Sequence, residues 1–360
     1  MDNNDLHALL RTMVECGASD LYLTTGAAPK VKIDGKVQTL PLPSLQSGQV
    51  RKLAYSALTP QAIADFKRTM ECNMSYAPDG IGRFRVNIYQ QRGETALVAR
   101  QVNAQIPGFE NLGLPPTVRD LAMLPRGLIL IVGAAGSGKT TTMASMVDYR
   151  AKHHAGHILT VEDPIEYLFK HGESTVDQRE VGVDTLSFSS ALRNAMRQSP
   201  DMIVIGEIRD QETMQQAITY AETGHLCIST LHAANASQAI KRVLNFFPEP
   251  AHAQLLMDLS LNLQAIVSQR LLPGLTGRRV LATEVLLHSA HIADLIQRGA
   301  VDGLRESLEK TSVMGTHSFD QSLLELFQRG LIDQKTALAN ADSRTDLGLR
   351  MRLHSSHDPH

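Results

Sequence analysis

Gly133, Ala134, Ala135, Gly136, Ser137, Gly138, Lys139 and Thr140 fill the pattern G-x-x-x-x-G-K-[ST] at every position. Glycines at this spacing let the chain turn tightly enough for several N–H groups to point inward at phosphate oxygens, an approach that side chains would obstruct. Lys139 supplies a point charge within reach of a β- or γ-phosphate, and Thr140 supplies a hydroxyl for Mg²⁺. Thr141 continues the binding set into the helical run that follows, whose N-terminal dipole also favours an anion. The apolar run Leu128–Val132 stands directly before the loop, giving the strand-then-helix setting that this chemistry needs. The pattern predicts that Mg·ATP binds at Gly133–Thr140.

Three more apolar runs end in ionisable residues. Ile158–Val161 leads into Glu162-Asp163-Pro164-Ile165-Glu166, Met202–Ile205 into Gly206-Glu207-Ile208-Arg209-Asp210, and Leu226–Leu231 into His232. In open parallel sheets, ligands bind beyond the carboxyl ends of the strands, so the four exits are expected along one sheet edge. An acid at a strand end is commonplace on its own. Beside a phosphate loop, Glu207 becomes the carboxylate that holds Mg²⁺ or its water, or orients the attacking water. Glu166 is the best second carboxylate. Asp201 is expected to cap a strand entry instead.

His225 and His232 lie seven residues apart around the fourth run. That odd spacing sends them to opposite faces of a strand, which excludes a zinc pair. His232, at the exit, is placed to contact the γ-phosphate or to report its loss; His225, at the entry, reads as structural or interfacial. Arg83, Arg85 and Arg100 lie on expected strands of the N-terminal third. They are either a solvated strand face or an arginine clamp that closes on nucleotide from the other domain or a neighbouring subunit.

Elements must position these groups. In a chain of 360 residues two domains are expected. Residues 1–102 read as a small α+β domain. It has a helix over Leu6–Cys16, strands at Leu21–Leu23 and Val31–Ile33, a hairpin at Asp34-Gly35, and strands over Gly82–Gln90 and Thr95–Gln101 around a turn at Gln91–Gly93. Prolines and glycines mark a linker over 103–117. Residues 118–345 then alternate strand and helix, the order of a parallel α/β sheet. After residue 252 helical runs are expected to dominate, among them Gln254–Leu272, His291–Arg298 and Phe319–Arg329, with a disordered tail over 346–360.

The net charge of −2 and the 4% aromatic content, with no Trp, give no basis for a nucleic-acid surface. Three scattered cysteines form neither a disulfide framework nor a zinc site. The polar, acidic start and the lack of a long apolar run suggest a soluble, cytoplasmic protein.

The stretches GAAGSGKTT, ILTVEDPIEY, SPDMIVIGEIRDQET and AETGHLCISTLHA resemble, in order, the Walker A, Asp box, Walker B and His box of type IV pilus and type II secretion ATPases. RFRVN, DQREVGVDTLSF and HSFDQSLLELFQRG extend the resemblance over nearly the whole chain. It is closest to the retraction branch, the PilT/PilU type. His291–Arg298 stands where many retraction motors carry a sequence like AIRNLIRE, and this and other stretches lie nearer the PilU side.

The resemblance implies a RecA-like P-loop ATPase domain with a smaller PAS-like α+β N-terminal domain and a helical C-terminal extension. It implies Glu207 as the Walker B carboxylate, Glu166 as the Asp-box carboxylate, His225 and His232 as His-box residues, and arginines near 83–100 as phosphate contacts. It also implies a homo-hexamer, an inner-membrane platform protein and a PilT-like retraction ATPase as partners, and attachment at the membrane face without spanning it. The expected activity is ATP hydrolysis that drives or assists pilus retraction and twitching motility. The rival readings are a secretion or pilus assembly ATPase, a nucleic-acid-dependent motor, and a ring subunit that binds nucleotide only structurally.

Overall fold

A computed structural model describes residues 5–33, 35–102, 105–310 and 313–355. The chain divides into two compact units, Met1–Gln105 with Glu166–Leu168, and Ile106–Ile165 with Phe169–His360.

The first unit is an antiparallel sheet with helices. Its strands are β1 (Asp20–Leu23), β2 (Lys30–Ile33), β3 (Lys36–Thr39), β4 (Glu71–Tyr76), β5 (Phe84–Gln91) and β6 (Glu94–Gln101), in the spatial order β3-β2-β1-β6-β5-β4. The turn from β5 to β6 has Arg92 and Gly93 both at positive φ, 50° and 77°, the signature of a primed hairpin turn whose twist suits its strands. The expected hairpin between β2 and β3 is present, although Asp34 lies outside the described residues. The helix Leu6–Glu15 buries Leu6, Leu9, Leu10 and Met13, a spacing that forms one apolar stripe. That stripe joins Leu21, Phe84, Val86, Ile88 and Leu97 in the core of the unit.

The second unit is an α/β sheet of seven strands. They are β7 (Gly127–Gly133), β8 (Gly156–Glu162), β9 (Ser174–Glu180), β10 (Met202–Ile205), β11 (Leu226–Leu231), β12 (Leu263–Pro273) and β13 (Arg279–Leu287), in the order β13-β12-β7-β11-β10-β8-β9. Six run parallel, and β13 returns antiparallel along β12. Both faces are covered, which explains the unbroken apolar runs. Leu128, Leu130 and Val132 pack with Met214, Ala217, Ala239 and Ile240 on one side. Ile129 and Ile131 pack with Met143, Met146 and Val147 on the other. Alternate residues of β7 thus fill different cores.

Two expectations are corrected. Gln254–Leu272 is not one helix: the helix His252–Asn262 stops, and Leu263–Pro273 becomes β12 between β7 and β13. Ala265 through Gln269 are all buried. A run buried on both faces carries no period that separates helix from strand, so pairing with β7 decides. The tail is ordered further than expected as well. Arg344–Ser355 is helical and buries Leu347 and Met351 against Phe319, Leu323 and Leu272, while residues 356–360 lie outside the described ones. Among the described residues no helix is long and apolar enough to cross a membrane.

Candidate nucleotide site

Parallel pairing aligns β8, β10, β11 and β7 so that their carboxyl ends fall along one sheet edge. β7 ends at Gly133, and the helix Lys139–His153 begins after Gly138, whose φ of 90° is left-handed and suits glycine. Gly133 is needed for a different reason. A Cβ there would run into Ser137 Oγ and lie 2.7 Å from the carbonyl oxygen of Gln269 on β12. The loop is therefore pressed against the sheet at its base, while Ala134, Ala135 and Gly136 stay exposed at its crown. Ser137 Oγ is buried and has no hydrogen-bond partner among the described residues. An uncommitted donor in a tight turn at a helix N-terminus is consistent with a site for anionic oxygens.

Lys139 is 8% exposed, and its Nζ donates to the carbonyls of Gly133 at 2.9 Å and Ala134 at 3.0 Å. The ammonium is thus held over the loop. It also lies 3.5 Å from His232 Nδ1. The other ring nitrogen of His232, Nε2, lies 3.0 Å from Glu207 Oε1. A charged lysine can only donate, so in the neutral imidazole Nδ1 faces it as acceptor and Nε2–H donates to the carboxylate. Glu207 Oε2 accepts from Arg209 Nε at 2.8 Å, and Arg209 reaches Asp163 Oδ2 at 3.6 Å. A continuous polar chain therefore crosses three strand exits, from Lys139 through His232 and Glu207 to Arg209. Each member comes from a different loop or strand end except the Glu207–Arg209 pair, and only the parallel register brings them together.

At the exit of β8 the structure adds Glu162, which sequence reasoning passed over. It is buried, accepts from the Thr160 hydroxyl at 2.7 Å and from Gln178 Nε2 at 3.1 Å. Its signal lay in the strand itself: Glu162 follows the apolar run directly, whereas Glu166 stands beyond Pro164. Arg209 was also passed over, though it sits two residues after Glu207.

The remaining candidates belong to the first unit or to the entry end of β11. Glu166 groups with the first unit, where it stands 3.7 Å from Arg85 Nη2. Arg83 and Arg85 alternate with buried Phe84 and Val86, as a strand face requires. Arg100 is directly opposite Arg85 in the β5–β6 register and bonds Asp20 Oδ1 through its Nε at 2.7 Å. Its hydrogen bond to Asp20, and then the Asp20 charge, hold the Arg100 guanidinium above its ordinary pKa. His225 lies at the strand entry, with Nδ1 3.1 Å from Thr223 Oγ1 and 3.3 Å from the Tyr220 carbonyl. It is packed on the end of the helix Gln211–Glu222 rather than at the exit edge. Asp201 caps a strand entry as expected, accepting from the His157 amide at 2.7 Å.

Comparison with known proteins places this arrangement. The model of the family "Type II/IV secretion system protein" matches residues 4–318. The type IV pilus ATPase PilU of Pseudomonas aeruginosa is 46% identical over 355 residues, 98% of this chain and 93% of that one. The type IV pilus retraction ATPase PilT of the same organism is 39% identical over 339 residues, 94% of this chain and 98% of that one. The crystal structure of the pilus retraction motor PilT with bound ADP aligns with a TM-score of 0.90 at 41% identity, covering 96% of this chain and 99% of that one. With a family model spanning most of its length and full-length relatives that are pilus ATPases, the chain belongs to the type II/IV secretion system protein family.

Proposed function

We propose that this protein is an ATP-hydrolysing motor of the type IV pilus machine that drives or assists pilus retraction and twitching motility. The observation that carries the reading is the polar chain from Lys139 through His232 to Glu207 at the mouth of the phosphate loop. Full-length likeness to the retraction ATPase PilT favours retraction over assembly.

The triphosphate lies over Gly133–Thr140, with backbone N–H groups and Lys139 on its oxygens. To reach them, Lys139 exchanges its bonds to the Gly133 and Ala134 carbonyls for phosphate oxygens. Glu207 orients the attacking water and takes up its proton. His232, bonded to Glu207 and facing Lys139, relates the state of that carboxylate to the phosphate side of the site. The Thr140 hydroxyl and the Glu207 carboxylate are the groups that would hold Mg²⁺. One or two protein oxygens would suffice for that ion, with waters and phosphates as its other ligands. When bound, Mg²⁺ neutralises charge on the phosphates.

Arg83, Arg85 and Arg100 are candidate phosphate contacts in the role of an arginine clamp. Arg100 is engaged by Asp20, and Arg85 stands near Glu166. Assembly as a homo-hexamer, attachment to an inner-membrane platform protein from the cytoplasmic side, and work beside a PilT-like ATPase complete the reading. The test is phosphate release by the purified protein and its Lys139→Ala variant, with surface spreading of a pilus-bearing host lacking the gene. Turnover is expected to fall at least ~10²-fold in the variant, the scale of losing one transition-state charge contact. Equal rates for the two proteins would overturn the site.

A further inference from the structure

The hairpin β12–β13, unforeseen in the sequence, carries a buried carboxylate that the hydrolytic scheme leaves unused. Glu284, on β13, is 3% exposed. Its Oε1 accepts from the backbone N–H of Ala236 at 2.8 Å and from the Ser268 hydroxyl on β12 at 3.0 Å. Ala236 opens the helix Ala236–Leu244, four residues after His232. The helix is already capped by Asn235, whose side chain accepts from the Gln238 amide at 2.9 Å, so Glu284 takes a different free donor at the same terminus.

Burying a carboxylate is costly, and burial pushes the Glu284 carboxyl above its ordinary pKa. The helix needs no acid for its cap. What Glu284 adds is a fixed point: it fastens the far end of the short segment 232–236 to the sheet, with β11 fixing the near end. Ser268 stands beside Gln269, whose carbonyl lies against Gly133 and whose Nε2 donates to Thr142 Oγ1 at 2.7 Å. One strand thus braces the phosphate loop with one residue and the His232 segment with the next.

We propose that Glu284 is a positioning residue, holding the His232 segment through the amide of Ala236 so that the imidazole meets Glu207. The proposal rests on the ATPase reading, and the experiment separates the two. Steady-state phosphate release is measured for wild type, Glu284→Ala, Glu284→Gln, Ser268→Ala, His232→Ala and the double variant Glu284→Ala/His232→Ala. An inactive wild-type protein defeats the ATPase reading itself.

With active wild type, Glu284→Ala is expected to lower kcat about tenfold and leave KM for ATP within about twofold, because the phosphate cradle is untouched. Glu284→Gln keeps an acceptor for Ala236 and recovers most of the rate. In the His232→Ala background the Glu284→Ala change has no further effect, since the group it positions is gone. An equal loss in both backgrounds, or a rise in KM matching the fall in kcat, overturns the proposal. Should Glu284→Ala not fold, Ser268→Ala, which removes one of the two bonds that fix Glu284, gives the same readout. It is expected to show a smaller kcat loss that likewise vanishes beside His232→Ala, and a loss that persists there overturns the proposal.

Discussion

Glu207 and His232, just past the carboxyl ends of the neighbouring parallel strands β10 and β11, meet at 3.0 Å because those strands pair in a register that sets Ile205 opposite Ser229. Shifting that register by one residue would turn every side chain of a strand to the other face. The carboxylate expected to steer water is therefore oriented from one side by an imidazole and from the other by Arg209.

That orientation predicts the behaviour of Glu207→Gln. The amide keeps the size and still accepts from one neighbour, but it cannot take a proton from water. Its kcat is expected to drop by about 10²–10⁴-fold, the usual worth of a general base. Affinity for ATP, measured by titration with a fluorescent analogue, is expected to stay within about threefold. A parallel loss of affinity would assign Glu207 to ground-state binding instead.

In the first unit, Arg85 and Arg100 face one another across β5 and β6, and like charges so placed repel. Asp20 offsets this from beneath, accepting from Arg100 Nε and from the Ser19 hydroxyl at 2.7 Å each. Asp20→Asn is expected to destabilise the unit by about 1–2 kcal/mol, a value held down by the exposure of Arg100. Adding Arg100→Gln is expected to recover part of the loss. Urea unfolding followed by circular dichroism checks both.

The buried Glu284 also sets a pH dependence. Burial, the largest cause, raises its folded pKa above the unfolded value. The folded state then holds the proton more tightly, so the contribution of Glu284 to stability is full below the unfolded pKa and falls as pH rises through the folded one. Glu284→Gln carries no such charge. Its melting temperature relative to wild type is expected to rise between pH 4 and pH 7, by roughly 2–4 °C for each kcal/mol relieved. A difference that stays flat over this range would remove the burial argument.

Most of the candidate site was legible because its signals are local. Gly133–Thr140 is contiguous, and Glu207 and His232 each stand at the end of an apolar run that reads as a strand. Glu284 and Ser268 were not legible. They sit in Leu263–Leu287, where continuous burial erases the period that would have marked two strands, and their chemistry appears only when β12 and β13 pair. Glu162 was overlooked for a related reason: three acids within five residues look alike until one of them is buried.

The sequence alone determined the glycine-rich turn at Gly133–Thr140, the family and the four strand exits, because each depends on residue types at fixed short spacing. The tertiary structure decided which acid is buried at the exit of β8, that Arg100 is bound to Asp20, and that a hairpin braces the loop and the His232 segment. Those outcomes depend on pairing between residues up to 80 positions apart. Burial and register set them, and neither is encoded in any short stretch of chain.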